Sequence, residues 1–203
     1  MKKIHLILFF VVVYSCSCLK KEHTIENKLT EIEKNIVNDF LEYELIKERY
    51  RKYKDYKIVI IEEALKKSKS LDAYEYTYKD LFKYEKKNGN YWILDSLQME
   101  TTKEKINSEN VYHWKQSDFR NIKIKLLKFE ELRKTTNNGK YLKNNLIIFL
   151  SRPLLIDNNN ALLSFDIGNG DMGNYAITHF TALMRKVNNK WVENGYYEDG
   201  VFN

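Results

Sequence analysis

With 203 residues, two cysteines and a net charge of +6, the sequence closes off several classes of function before any motif is weighed. Both cysteines, Cys16 and Cys18, lie in the first eighteen positions, so the remaining length has no thiol for a disulfide framework, a cysteine nucleophile or a thiolate metal site. The 34 basic residues are interleaved with 28 acidic ones and form no stripe with aromatics between, so a nucleic-acid partner is not expected.

Lys2 and Lys3 precede an apolar run, residues 4–14, broken only by His5. A positive start, a short apolar stretch and a small residue before a cut make a secretory signal. The run is too short for the about 20 residues that cross a hydrocarbon core. It is also apolar on every face, which does not suit a core helix directly behind Met-Lys-Lys. Val13 and Ser15 fill the aliphatic and small positions before Cys16, and this ending resembles a bacterial lipoprotein signal, in which the cysteine takes the lipid (palmitate among its acyl chains) and becomes the new N-terminus. Cys18 is the alternative acceptor, with Ser15 then at the aliphatic position. The expected organisation is a signal over residues 1–15, a tether over 16–23 and a single domain over 24–203. Extended at about 3.3 Å per residue, the tether reaches only about 20 Å.

Residues 24–56 predict one long amphipathic helix. Ile25, Leu29, Ile32, Ile36, Phe40, Tyr43, Ile46, Tyr50 and Tyr53 recur in steps of three and four. Thr30 and Glu33 have capping-box spacing, with Thr24 as an alternative start. Val37, Leu41 and Leu45 widen the stripe, which favours packing on the chain's own domain over a coiled coil. Residues 57–69 combine a strand-like Ile58–Ile61 run with Glu62–Lys66 and Glu63–Lys67 pairs, and the balance is taken as helix. Asn88-Gly89, flanked by apolar arms over 81–85 and 91–94, is a strong hairpin cue; the alternating Tyr74, Tyr76 and Tyr78 extend the first arm or form a helix. A short helix is expected from Asp95 or Ser96 to Asn107.

From Asn121 onward the pattern becomes β. Ile122, Ile124 and Leu126 alternate with Lys123 and Lys125, and residues 146–151 form an apolar strand that Pro153 must stop or bulge. Residues 157–160 are a turn. Residues 161–167, 175–187 and 190–197 then predict three consecutive antiparallel strands, the last hairpin closed by Asn188-Asn189.

The motifs that carry chemistry are sparse. Gly168, Gly170 and Gly173 fit G-x-G-x-x-G, but β-rich sequence follows where a phosphate site needs a helix N-terminus, so a hairpin loop is expected. Asp166, Asn169 and Asp171 offer oxygens without matching a twelve-residue calcium loop. Glu62 and Glu63, adjacent on a helix, point about 100° apart and cannot easily share a site. His113 beside Trp114 suits packing. His179 is placed by alternation with Tyr175, Ile177 and Leu183, near Trp191, on a face that becomes a ligand pocket if the sheet curves. The three histidines beyond the signal, His23, His113 and His179, lack metal-ligand spacing. No metal, cofactor or catalytic set is assigned.

Trp114-Lys-x-Ser-Asp-Phe before an alternating strand, Ser151-Arg-Pro, a turn, Ala-Leu-Leu, a glycine loop and Asn-Lys-Trp191 are together similar to many small lipoproteins of Bacteroidota-type bacteria. The likeness spans roughly residues 90–200 and implies the envelope compartment and the sheet, with no activity attached. The expected fold is α+β, with N-terminal helices on one face of a mostly antiparallel sheet that ends in a β-meander. A cone-shaped sheet similar to nuclear-transport-factor-like folds is the second choice. The expected role is a lipid-anchored binding or interaction module at the outer membrane or cell surface, for an unidentified envelope protein or small ligand. An envelope hydrolase or other enzyme is the alternative, and it requires His113 or His179 to meet two carboxylates in a cleft. An immunity-type protector is a third possibility that sequence does not separate from the first.

Overall fold

The computed structural model of the chain describes residues 28–81, 92–106, 109–138, 142–172 and 175–200. Helix α1 (Glu31–Glu44) starts at the expected capping box: Glu33 N–H donates to the Thr30 hydroxyl at 3.2 Å, and Thr30 N–H donates back to the Glu33 carboxylate at 2.8 Å. Ile36, Val37, Phe40 and Leu41 are fully buried, while Ile32 on the same stripe is exposed.

The helix does not continue to residue 56. It ends at Glu44, and the chain re-forms as a 3-10 turn over Glu48–Tyr53. The cause is Glu44 itself, whose buried carboxylate accepts from Tyr50 at 3.0 Å and Tyr196 at 2.9 Å and pairs with Lys47 at 2.6 Å. Six residues along an unbroken helix lie about 9 Å and 240° apart. Tyr50 therefore reaches Glu44 only because the helix stops.

Residues 57–69 are also corrected. Strand β1 (Lys57–Ile61) lies between β2 (Ile124–Leu127) and β3 (Asn145–Leu150) and runs parallel to both. A strand buried on both faces shows an unbroken apolar run, which by periodicity alone cannot be told from a short helix. Helix α2 (Lys67–Leu81) follows and takes in Tyr74, Tyr76 and Tyr78, so these are helical and not part of a hairpin arm. The Asn88-Gly89 turn lies outside the described residues, and residues 92–95 carry no strand. Helix α3 (Ser96–Ile106) matches expectation, its start marked by Asp95 and Gln98 bonding each other's backbone N–H. Helix α4 (Phe129–Asn137), which the sequence reading passes over, joins β2 to β3.

The remaining strands are β4 (Leu154–Leu155), β5 (Asn160–Asn169), β6 (Tyr175–Val187) and β7 (Lys190–Tyr197). The seven-stranded sheet has the order β2-β1-β3-β5-β6-β7, with β4 paired to β5, and every pairing outside β1 is antiparallel. The fold is α+β, and β5-β6-β7 form the expected meander. Strand β3 stops short of Pro153, as a residue with no N–H to give a ladder requires.

Neighbouring strand residues point to opposite faces, and both faces are covered. Ala161, Leu163 and Phe165 of β5 pack with Trp191 and with α1, the Phe40 and Phe165 rings lying 4.7 Å apart. On the other face Leu162 and Leu183 meet Leu71 and Tyr74 of α2 and Met99 of α3. On that second face, Ile147, together with Val59 and Ile61, packs on Leu132 of α4. The helices are thus divided between two faces and not gathered on one, because the segment between β1 and β2 contributes α2 and α3 behind the meander.

Candidate functional site

The α2-facing side of the meander changes character along its length. Leu162, Ser164 and Asp166 of β5 stand opposite Leu183, Thr181 and His179 of β6. The face therefore passes from apolar, through hydroxyl, to ionisable. In the middle, Ser164 Oγ is 2.6 Å from Thr181 Oγ1 and 2.9 Å from Ser70 Oγ, while Ser164 N–H donates to Ser151 Oγ at 2.9 Å. These buried hydroxyls satisfy one another, as buried polar groups must.

At the ionisable end His179 Nδ1 lies 3.1 Å from Asp199 Oδ2, and Lys69 Nζ lies 3.7 Å from the same oxygen. A carboxylate only accepts, so Nδ1 carries a proton and donates to Asp199. Asp166 Oδ1 is buried with no hydrogen-bond partner among the described residues. Burial pushes the Asp166 carboxyl above its ordinary value; Lys69 and His179 pull it back and Asp199 adds to the rise. Beside the cluster a cleft of about 590 Å³ opens between the first half of α2 and the C-terminal segment, lined by Lys66, Ser68, Lys69, Asp72, Tyr76 and Asp199. That segment is held against α2 where Glu198 N–H donates to Thr77 Oγ1 at 3.1 Å. It also depends on Gly200, at φ +73°, where a Cβ would come 3.0 Å from the Tyr76 ring.

Two sequence candidates thus come together, Asp166 and His179, and two were missed, Lys69 and Asp199. The hairpin alone did not point to Asp199. A regular count from Val187↔Lys190 puts Glu198 opposite His179; an extra residue at Asn194 shifts the pairing to Thr181↔Tyr197, and continuing that count brings Asp199 opposite His179. Trp191 is not near His179, because it packs on the α1 side of the sheet. Ile177 leaves the face of His179 too, since it is the unpaired residue where the β5–β6 register shifts.

The other candidates stay apart. Asn169 Oδ1 accepts from Asp171 N–H at 2.9 Å, and the Asp171 carboxylate is taken by Tyr56 and by Asn144 N–H, both remote in sequence from Asp166. No group of three His, Cys, Asp or Glu residues that could hold a metal occurs among the described residues. Gly168 and Gly170 end β5 and begin a 3-10 turn that leads into β6, so they open no α-helix; Gly173 lies outside the described residues. Glu62 pairs with an exposed His113 at 3.4 Å, whereas Glu63 caps Phe129 N–H at 2.7 Å, so the two acids serve different partners. Trp114 is buried and donates to Leu150 O at 3.4 Å. Cys16, Cys18, Thr24 and His23 lie outside the described residues, and no described helix is long and apolar enough to cross a membrane. No protein-family model, curated protein or solved structure matches the chain.

Proposed function

We propose that this chain is a lipid-anchored protein of the cell envelope, held through Cys16, whose folded body is a binding module with the cleft beside α2 as its contact region. The observation that carries this reading is the half-buried Asp166–His179–Asp199–Lys69 group at the edge of an open cleft. Charged groups sheltered from water are costly to maintain for structure alone, and they cluster where ligands are received. The anchor is supported by the Lys2–Lys3 start, the eleven-residue apolar run and the Val13–Ser15–Cys16 ending. The likeness to small lipoproteins of Bacteroidota-type bacteria supports the same compartment, at the outer membrane or cell surface.

The test is metabolic labelling with an acyl analogue followed by membrane fractionation, on wild type, Cys16→Ser and Cys18→Ser. Label and membrane association are expected in wild type and lost in Cys16→Ser. Loss only in Cys18→Ser moves the anchor by two residues, and absence of label in wild type refutes the anchor.

An envelope enzyme is the second reading, favoured by one observation: His179 is oriented by Asp199 and faces Asp166, whose carboxyl is shifted up. Hydrolysis of ester or glycoside reporters that disappears in His179→Ala supports it; equal rates in both proteins end it.

A further inference from the structure

We propose that a second cleft, at the carboxyl ends of β1, β2 and β3, binds a small amphipathic anion, an aryl or alkyl carboxylate whose apolar body sits between Phe129 and Val111 and whose charge meets Lys66. Only Lys66 is shared with the cleft beside α2. The site requires neither that cleft nor the anchor.

The three strands are parallel, and each of the first two is followed by a helix, β1 by α2 and β2 by α4. In open sheets built this way, ligands are received in the crevice beyond the carboxyl ends of the strands. Here that crevice has a volume of about 520 Å³, within the range of small-molecule sites. Ile61 and Ala64 form its buried floor. The chain after β1 is fixed from both sides, Ala64 N–H donating to Tyr112 O and Leu65 N–H to Leu150 O, both at 2.8 Å, so the floor is formed before a ligand arrives. The walls are large apolar side chains left open to water, Phe129 49% and Val111 42% exposed. The Phe129 and Phe149 rings lie 6.1 Å apart and inclined by 69°, an arrangement that a third ring can join edge to face.

The charges around the cleft choose the sign of the ligand. Glu63 lines it, but its carboxylate accepts from Phe129 N–H at 2.7 Å, at the positive end of α4. Glu130 is paired with Arg133 at 3.0 Å and with Lys134 at 3.8 Å. The exposed Lys66 side chain has no ion pair or hydrogen bond among the described residues. The charge left to be matched in the lining is therefore positive, and a carboxylate beside it gains a charge-assisted hydrogen bond. An exposed pair of this kind contributes little, so apolar burial supplies the affinity and Lys66 the preference.

The experiment uses the full-length protein in detergent and follows titration calorimetry and thermal unfolding with phenylpropionate, phenylpropanol and phenylpropylamine at pH 7. Acetate is the control that has the charge without the body, and partition into detergent, common to every variant, is subtracted. Phenylpropionate is expected to bind saturably and raise the melting temperature, as a ligand of the native state must. The alcohol should bind about threefold more weakly, as suits an exposed ion pair, the amine about tenfold more weakly, and acetate not measurably. In Lys66→Glu, at an exposed position, the order of acid and amine should reverse. Val111→Asp, also exposed and not part of the cleft beside α2, should weaken the acid and the alcohol at least tenfold, a tenfold change being about 1.4 kcal/mol. Absence of saturable binding in wild type overturns the proposal, as does an acid preference that survives Lys66→Glu. Binding that changes in Lys66→Glu but not in Val111→Asp moves the ligand to the cleft beside α2 and overturns it as well.

Discussion

Arg152 and Glu33 form a two-pronged contact, Nε to Oε1 at 2.7 Å and Nη2 to Oε2 at 3.1 Å, which ties the first turn of α1 to the chain just beyond β3. Glu33 is almost wholly buried. Burial pushes its carboxyl up, but hydrogen bonds from Arg152 and Thr30 and the guanidinium charge outweigh that and hold it below the ordinary value. A lowered carboxyl stabilises the fold fully above the unfolded glutamate value near ~4.3, and that stabilisation is lost as pH falls through the folded value. Glu33→Gln is therefore expected to cost about 1–3 kcal/mol at pH 7, with the gap to wild type closing as pH falls from 5 to 2. Urea unfolding at stepped pH checks this, and a gap that does not change with pH contradicts it.

Asp166 predicts the opposite sign. Its carboxyl is raised chiefly by burial, so the native state holds the proton more tightly than the unfolded chain does. Stability then falls as pH rises from the unfolded aspartate value near ~3.9 through the folded value. Asp166→Asn should melt higher than wild type at pH 7, by about 2–4 °C for each kcal/mol relieved, and at the same temperature near pH 3. Calorimetric scans at the two pH values decide it; a variant that melts lower at pH 7 means that Asp166 supports the fold.

The two halves of the sheet were unequally legible. Strands β6 and β7 were read with their final bounds, because a two-residue Asn-Asn turn and alternation over neighbouring residues are local signals. The capping box of α1 was local too. Strand β1 was misread because its partners, Ile124–Leu127 and Asn145–Leu150, lie far along the chain, and no window around Ile58–Ile61 contains them. The break after Glu44 was hidden for the same reason, since part of its cause is Tyr196. In the site, alternation found the face of His179 but could not foresee the two register shifts that remove Ile177 from it and bring Asp199 to it. Lys69 was out of reach while residues 74–78 had no settled secondary structure.

Tyr74 joins α2 to the segment that leads into α3. Its hydroxyl donates to Leu94 O and accepts from Leu94 N–H, both at 2.8 Å, within a cluster that includes Trp92 and Tyr197. Burial chiefly pushes this phenol up to about 12, so it stays neutral and able to donate at any ordinary pH. Tyr74→Phe removes one atom and strands two backbone groups. A loss of about 1–3 kcal/mol is expected, with faster hydrogen exchange at the Leu94 amide. Unchanged exchange there, with stability lost elsewhere, contradicts the assignment.

Asn188 and Asn189 both have positive φ, 49° and 62°, the conformation of a two-residue turn whose twist matches the strands it joins. Asparagine tolerates this region, glycine occupies it without cost, and a β-branched residue is strained there. Asn189→Gly should leave stability unchanged or raise it by up to about 1 kcal/mol, whereas Asn189→Val should lower it by about 1–2 kcal/mol. The turn sets the count that, after the bulge at Asn194, places Asp199 beside His179. Strain at position 189 therefore extends to the site: the His179 ring resonances should move in Asn189→Val and stay in place in Asn189→Gly. If the valine variant melts lower but its His179 resonances match wild type, the turn stabilises the hairpin without governing the register on which the Asp199 contact depends.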